Sequence, residues 1–365
     1  MIHSPARRRR PTAAAGPRLT PTLAVGLLCL ALVALADALI HHESRLTGDE
    51  PFYERMATHP GGPHNFPYAY RIVVPWLVHV LPFSHVVSFT LLAWLAIAAA
   101  GAALYALIEE FDVDPRLALG LVVGFVLSPT LLVVLPRHGR SVDPASILVI
   151  VLGCLFIVRR QRVALAITIL IGVGVRESSL FLIPLAYAVW AQRPLDRQAL
   201  RDTVLCGILP VIAYLVLRTS IDAVGRQYEP GYSGPFLKER FDIVRSALSD
   251  GTLLRELRRL AYTYGPLWLV APFALRDMPF ARRGLVLVGL CVASLTFAFD
   301  WGRVMFLAAP VFYVASAHVL RGRSRLAVAT VVALLAVDIG YGVYLQAYGV
   351  QHGLDTTVSR GIPVY

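Results

Sequence analysis

The chain has 365 residues, 57% of them hydrophobic and only 16% charged, a balance that excludes a water-soluble globule. Its formal net charge of +11 arises from 34 basic against 23 acidic side chains. The arginines lie in short clusters between apolar runs, which is how orienting charges are placed around membrane segments and not how a nucleic-acid-binding face is built.

Residues 1–19, with Arg7 to Arg10 followed by Pro11, read as a basic cytoplasmic tail. The apolar run that starts near Thr20 is too long for a signal peptide, and no small-residue cleavage site closes it, so it reads as an uncleaved first span. Later apolar runs predict spans over 86–108, 117–136, 143–158, 163–175, 178–190, 203–219, 262–276, 283–299, 303–320 and 325–346. Backbone groups in lipid need internal partners, so these runs must be helical. The expected fold is therefore an all-α polytopic transmembrane bundle of about 11 spans occupying 20–346.

With the tail inside, the short basic loops at Arg159/Arg160/Arg162, Arg193/Arg197/Arg201, Arg276/Arg282/Arg283 and Arg321/Arg323/Arg325 all fall on the cytoplasmic side. That parity depends on 163–190. As one helix it would be about 42 Å long, with Arg176-Glu177 in mid-membrane and every later loop inverted. Two short half-spans meeting at Gly172–Glu177 preserve the parity. The outside face then carries three pieces: a first loop, 41–85, with juxtamembrane helices; a large loop, 220–261, with a helical basic stretch from Lys238 to Arg259; and a C-terminal tail, 347–365. Cys29, Cys154, Cys206 and Cys291 fall inside apolar runs and read as small buried hydrophobes.

Chemistry is expected on the outside face. Arg71, Arg140, Arg176 and Arg303 break the preference for inside arginines, and a guanidinium fork matches phosphate oxygens, so they are candidates to hold an anionic phosphate. Asp49 and Glu50, just beyond the first span, are candidate general bases, and Asp49 is equally placed to cap a helix starting at Pro51. Asp143 before Pro144 reads as an N-cap for the span that follows. Arg176 and Glu177 read as an internal ion pair, and Asp300 and Arg303 around Trp301 as a salt bridge at a span boundary. Asp37 and Asp338 lie within apolar runs and need buried partners. His41, His42, His59 and His64 lack metal-ligand spacing, so no protein metal site is assigned.

The order of these features resembles the GT-C superfamily of integral-membrane glycosyltransferases. The pattern D-x-x-x-Y is met by Asp49 and Tyr53, and Y-R-x-x-x-P-x-L by Tyr70, Arg71, Pro75 and Leu77, with Asp143-Pro144, Arg176-Glu177 and Asp300-Trp301-Gly302-Arg303 following. The resemblance implies transfer of a sugar from a polyprenyl-phosphate donor to a glycan, lipid or protein acceptor at the outer face of a bacterial plasma membrane, with inversion. Asp49 would act as general base with Glu50 as neighbour or substitute. Arg71, Arg176, Arg303 and Arg140 would hold the phosphate, supported by Tyr53, Tyr70, Asp143, Glu177 and Asp300. Some members use a divalent cation (Mg or Mn) and others none, so the resemblance leaves a cofactor open. The large outside loop has no counterpart in that pattern. Two other function classes stay in play: a transporter or flippase for an anionic lipid or solute, and a membrane scaffold that docks a partner on 220–261.

Overall fold

The computed structural model describes residues 19–40, 42, 49–224, 252–297 and 300–352, so the basic tail, most of the large outside loop and residues 353–365 lie outside it. In chain order come α1 (Leu19–Leu39), α2 (Glu50–Thr58), a 3-10 turn over Tyr68–Tyr70, α3 (Val73–Val80) and α4 (His85–Glu109). Next are α5 (Pro115–Val126), α6 (Pro129–Leu132), α7 (Asp143–Val158), α8 (Arg162–Val175), a 3-10 turn over Glu177–Phe181, α9 (Leu182–Trp190) and α10 (Arg197–Ser220). The last third holds α11 (Thr252–Tyr264), α12 (Leu267–Val270), α13 (Pro279–Ser294), α14 (Trp301–Met305), α15 (Ala309–Leu320) and α16 (Ser324–His352). Helix starts follow local chemistry. Asp114 and Asp196 accept hydrogen bonds from the first free N–H groups of α5 and α10, and proline occupies the opening turn of α2, α5, α7 and α13. Among the described residues the only strands are β1 (His64–Asn65) and β2 (Ala223–Val224), a two-residue parallel bridge tying the first loop to the end of α10.

Among the described residues the architecture is all-helical apart from that bridge, and full-length helices match the expected 11 spans only in part. Five of the described segments are long and apolar enough to cross a membrane: Pro21–Leu39, His85–Glu109, Arg197–Ser220, Trp301–Leu320 and Ser324–Tyr344. A sixth forms if Pro115–Val126 and Pro129–Arg137, bent by 40°, count as one. Asp143–Val158, Arg162–Val175 and Glu177–Trp190 are shorter apolar helices; 14 residues rise only about 21 Å, against a hydrocarbon core of about 30 Å. The expected span at 262–276 is no single helix, because Gly265 (φ +48°) and Pro266 interrupt it. At the other end α16 runs past the expected boundary at 346 to His352.

Helices α4 and α15 are apolar on nearly all sides and are the buried centre, with α4 packed on α1, α5 and α7. Close approach to α1 needs Gly101, where a Cβ would lie 2.8 Å from Cys29 Sγ. On the periphery, α1, α10 and α16 leave Leu23, Leu27, Leu205, Leu209, Val328 and Val332 about half exposed or more, a continuous apolar surface of the kind a bilayer covers. All four cysteines are buried thiols.

The segment 163–190 does reverse. Arg162 at the start of α8 pairs with Asp202 of α10 (2.8 Å), and Trp190 at the end of α9 donates to the Ile157 carbonyl near the end of α7 (2.9 Å). Arg176, between α8 and α9, instead meets Asp143 at the start of α7. Chain entry and exit thus share one end of the bundle and the turn lies at the other. Residues of the turns at 110–112, 160, 277–279 and 321 surround one cavity, so the basic loops gather at a common end as expected.

The opposite end is fixed by the turn at 137–140. Arg137 approaches Glu50 (3.2 Å), and Glu54 accepts from Arg140 (2.9 Å) and lies 3.0 Å from His85, so one face of α2 is clamped by charge. Gly139 sits at φ +66° with its missing Cβ 2.7 Å from the Phe89 carbonyl oxygen, and backbone cannot yield there. Gly139→Ala is expected to destabilise the protein by about 2 kcal/mol, read as a lower unfolding midpoint in detergent. A midpoint equal to that of the parent chain would show that the turn is free to move.

Candidate active site

Four well-separated pieces of chain meet at the end defined by α2, α7 and α14. Asp49 occupies the N-cap position of α2, yet its side chain makes no capping bond. Its Oδ1 accepts from the Tyr68 hydroxyl (2.8 Å) and its Oδ2 from Arg303 Nη1 (3.1 Å). The same Nη1 donates to Asp143 Oδ2 (3.0 Å), whose other oxygen accepts from Arg176. Arg303 Nε donates to Asp300 (2.7 Å), which also caps α14 by accepting from the Arg303 backbone N–H (3.1 Å). One guanidinium therefore bridges three carboxylates.

Beside this bridge lies a second pairing. Arg71 donates through Nη2 and Nε to Glu177 (2.8 and 3.3 Å) and through Nη1 to the Tyr53 hydroxyl (3.1 Å). Tyr68 joins the two halves. Its ring stacks on Phe52 (4.5 Å between centroids), meets Tyr53 edge-on and lies 5.4 Å from the Arg71 guanidinium. These stacks hold the Tyr68 hydroxyl where it can donate to Asp49.

Burial and charge set the protonation states. Burial pushes the Tyr53 phenol up to about 12, and burial together with Asp49 holds Tyr68 well above its ordinary value, so both remain donors. Burial works against the Arg71 charge, but Glu177 and Tyr53 more than offset it. At Asp300 burial would favour the acid, and Arg303 and Arg259 reverse that, holding the carboxyl below its ordinary 3.8. The stabilisation from this depressed group is complete above 3.8 and is lost only as pH falls through the lower folded value. Exposure falls from Asp49 (25%) through Arg303 (17%) to Asp143 (7%), which makes Asp49 the open end of the bridge.

Of the residues anticipated from sequence, Asp49, Tyr53, Arg71, Asp143, Arg176, Glu177, Asp300 and Arg303 come together. Three do not. Glu50 is 2% exposed and turned toward Arg137, and Arg140 serves Glu54. Tyr70 lies under the Arg218 guanidinium (4.0 Å), away from Asp49. The expected Arg176–Glu177 pair is also absent. Arg176 is in extended backbone between two helices, so adjacent side chains diverge, one to Asp143 and the other to Arg71. Asp143 is the first residue of α7 and makes no capping bond; both its oxygens are taken by guanidinium groups. Tyr68 joins this group although no motif in the sequence marks it.

The described residues hold no cluster of three His, Cys, Asp or Glu side chains suited to a metal. His42 lies 3.2 Å from Asp37 and stacks on His138; His41 lies outside the described residues. Asp37 thus has its partner, whereas neither oxygen of buried Asp338 has a hydrogen bond among the described residues. Beside Arg303 and Asp300 opens a narrow cleft of about 20 Å³, walled by Pro129, Thr130, Arg259, Tyr262 and Tyr341, with room for about one water.

The chain matches no protein-family model and no curated protein. Its site must therefore be interpreted from its own geometry. That geometry offers a half-open carboxylate held between a neutral phenol and a guanidinium, with two more guanidiniums behind it. Tyr68→Phe keeps both stacks but removes the hydroxyl, and is expected to cost about 1.5 kcal/mol of unfolding free energy, as for a hydrogen bond to a charged group. No change in the unfolding midpoint would mean that water replaces the bond without loss.

Proposed function

We propose that the protein is a membrane glycosyltransferase that moves a sugar from a polyprenyl-phosphate donor to a hydroxyl acceptor at the outer face of a bacterial plasma membrane. The observation that carries this reading is the Asp49–Arg303–Asp143–Arg176 bridge, in which the most exposed acid adjoins fixed guanidiniums at one end of an apolar helical bundle. In this reading the shorter apolar helices also traverse or re-enter the bilayer, giving about eleven passes with the N-terminus inside.

In the reaction Asp49 takes the proton of the acceptor hydroxyl as that oxygen bonds to the anomeric carbon. The bond from that carbon to the phosphate oxygen breaks on the opposite side, and its electron pair leaves with polyprenyl phosphate. Attack in line inverts the anomeric centre. Arg303 and Arg176 stabilise the charge gathering on the leaving phosphate, because fixed donors in a site shielded from water need no reorganisation.

The guanidiniums are not a bare cationic wall, since each is already engaged by a carboxylate. An arriving phosphate has to displace one of these contacts. Asp49 is the most exposed of the three carboxylates on Arg303, so it is the one released, which frees its Oδ2 for the acceptor's proton at the moment the donor is in place.

The test reconstitutes the chain in vesicles with a labelled polyprenyl-phosphate sugar and an acceptor alcohol. Expected are acceptor-dependent release of polyprenyl phosphate and a product of inverted configuration. Movement of the labelled lipid between leaflets with no sugar released would replace this reading with a flippase.

A further inference from the structure

A wider space than the cleft at the carboxylate bridge lies at the other end of the bundle. It is an open cavity of about 450 Å³, about 21 Å away along α7, where the turns after α4, α7 and α15 meet the end of α9 and the start of α13. Arg160, Arg283 and Arg321 line it. Arg283 donates to the Val189 carbonyl (2.6 Å) and Arg321 to the Phe111 carbonyl (3.0 Å), both neutral partners. The side chain of Arg160, a residue at φ +54°, has no hydrogen bond or ion pair among the described residues. Three acids share the lining with them: Glu110 accepts from Arg159 (2.7 Å), Asp277 faces His318 (3.4 Å), and Asp112 lies in the turn after α4. Apolar side chains share the wall, buried Trp190 and Phe280 among them.

Three guanidiniums that make no ion pair with a carboxylate border one space and can converge on an anion there. The planar fork favours phosphate oxygens, and an apolar wall beside the charges suits an ester carrying hydrocarbon. We infer that this cavity binds a phosphate-bearing anion, either a phospholipid headgroup or a soluble phosphate ester, through Arg160, Arg283 and Arg321. The inference is independent of the transfer reaction at Asp49.

The experiment uses the full chain and the variant Arg160→Gln, which loses no internal contact and so should fold normally. In one arm, nanodiscs of phosphatidylcholine with and without phosphatidylglycerol are followed by retained lipid in native mass spectrometry. In the other, inorganic phosphate is titrated in neutral detergent and the unfolding midpoint recorded. Retention of phosphatidylglycerol over phosphatidylcholine, or protection by phosphate, is expected, and Arg160→Gln should weaken it by about tenfold, the worth of one charge-assisted hydrogen bond. Arg323→Gln, a change in the adjoining basic turn outside the cavity lining, should leave it unaltered. The first arm alone responding identifies a lipid headgroup, and the second alone a soluble ester. Binding that ignores Arg160, or falls equally with Arg323→Gln, overturns the inference.

Discussion

Arg303→Ala is expected to be the most damaging single substitution in the chain. It leaves Asp49, Asp143 and Asp300 without their shared cation at a site where Asp143 is 7% exposed and Arg303 itself 17%. Removing one partner from a buried ion pair costs about 3–5 kcal/mol, because the charge left behind must be desolvated alone. Arg176 still holds Asp143, so the loss should fall near the lower bound, about 3 kcal/mol. The measurement is thermal unfolding in detergent beside Arg303→Lys. Lysine keeps the charge but presents a single ammonium where the fork spans three carboxylates, so it should recover only part of the stability. An alanine variant that unfolds with the parent chain would mean that the three carboxylates take up protons or water at no cost.

Asp49→Asn should produce the largest effect on reaction. The amide keeps shape and still accepts from Tyr68, but it no longer takes a proton. Loss of a general base lowers rate by about 10²- to 10⁴-fold, so sugar transfer should fall to that extent while the folded protein accumulates normally. Glu50→Gln is the informative contrast. Glu50 is buried against Arg137, so its replacement should lower the unfolding midpoint and leave transfer per folded molecule intact. The reverse pattern would move the base from Asp49 to Glu50.

Charges in an apolar chain stand out, and for that reason most of the site was legible one residue at a time. Asp49, Arg71, Asp143, Arg176, Glu177, Asp300 and Arg303 each interrupt an apolar run or border one. Their partners were not legible. Glu50 follows Asp49 directly, but helical geometry turns it about 100° away, toward the 137–140 turn. Tyr68 and Tyr70 share one aromatic-rich stretch, and nothing local distinguishes the residue that reaches Asp49 from the one that lies under Arg218.

How far each apolar run crosses the bilayer is less legible, for a related reason. Residues 143–158, 162–175 and 177–190 are apolar and packed against neighbouring helices, and hydropathy alone does not separate burial against protein from burial against lipid. The reversal at Arg176 was legible because the parity of basic loops constrains it globally.

The ion pair between Asp49 and Arg303 spans 254 positions. A ribosome making this chain delivers the first acid early and its cation only after four-fifths of synthesis is complete. Until then Asp49 has only the Tyr68 hydroxyl, and of the two guanidiniums on Asp143 only Arg176 exists. Chains cut short before residue 303 therefore leave Asp49 at the bundle end without its cation.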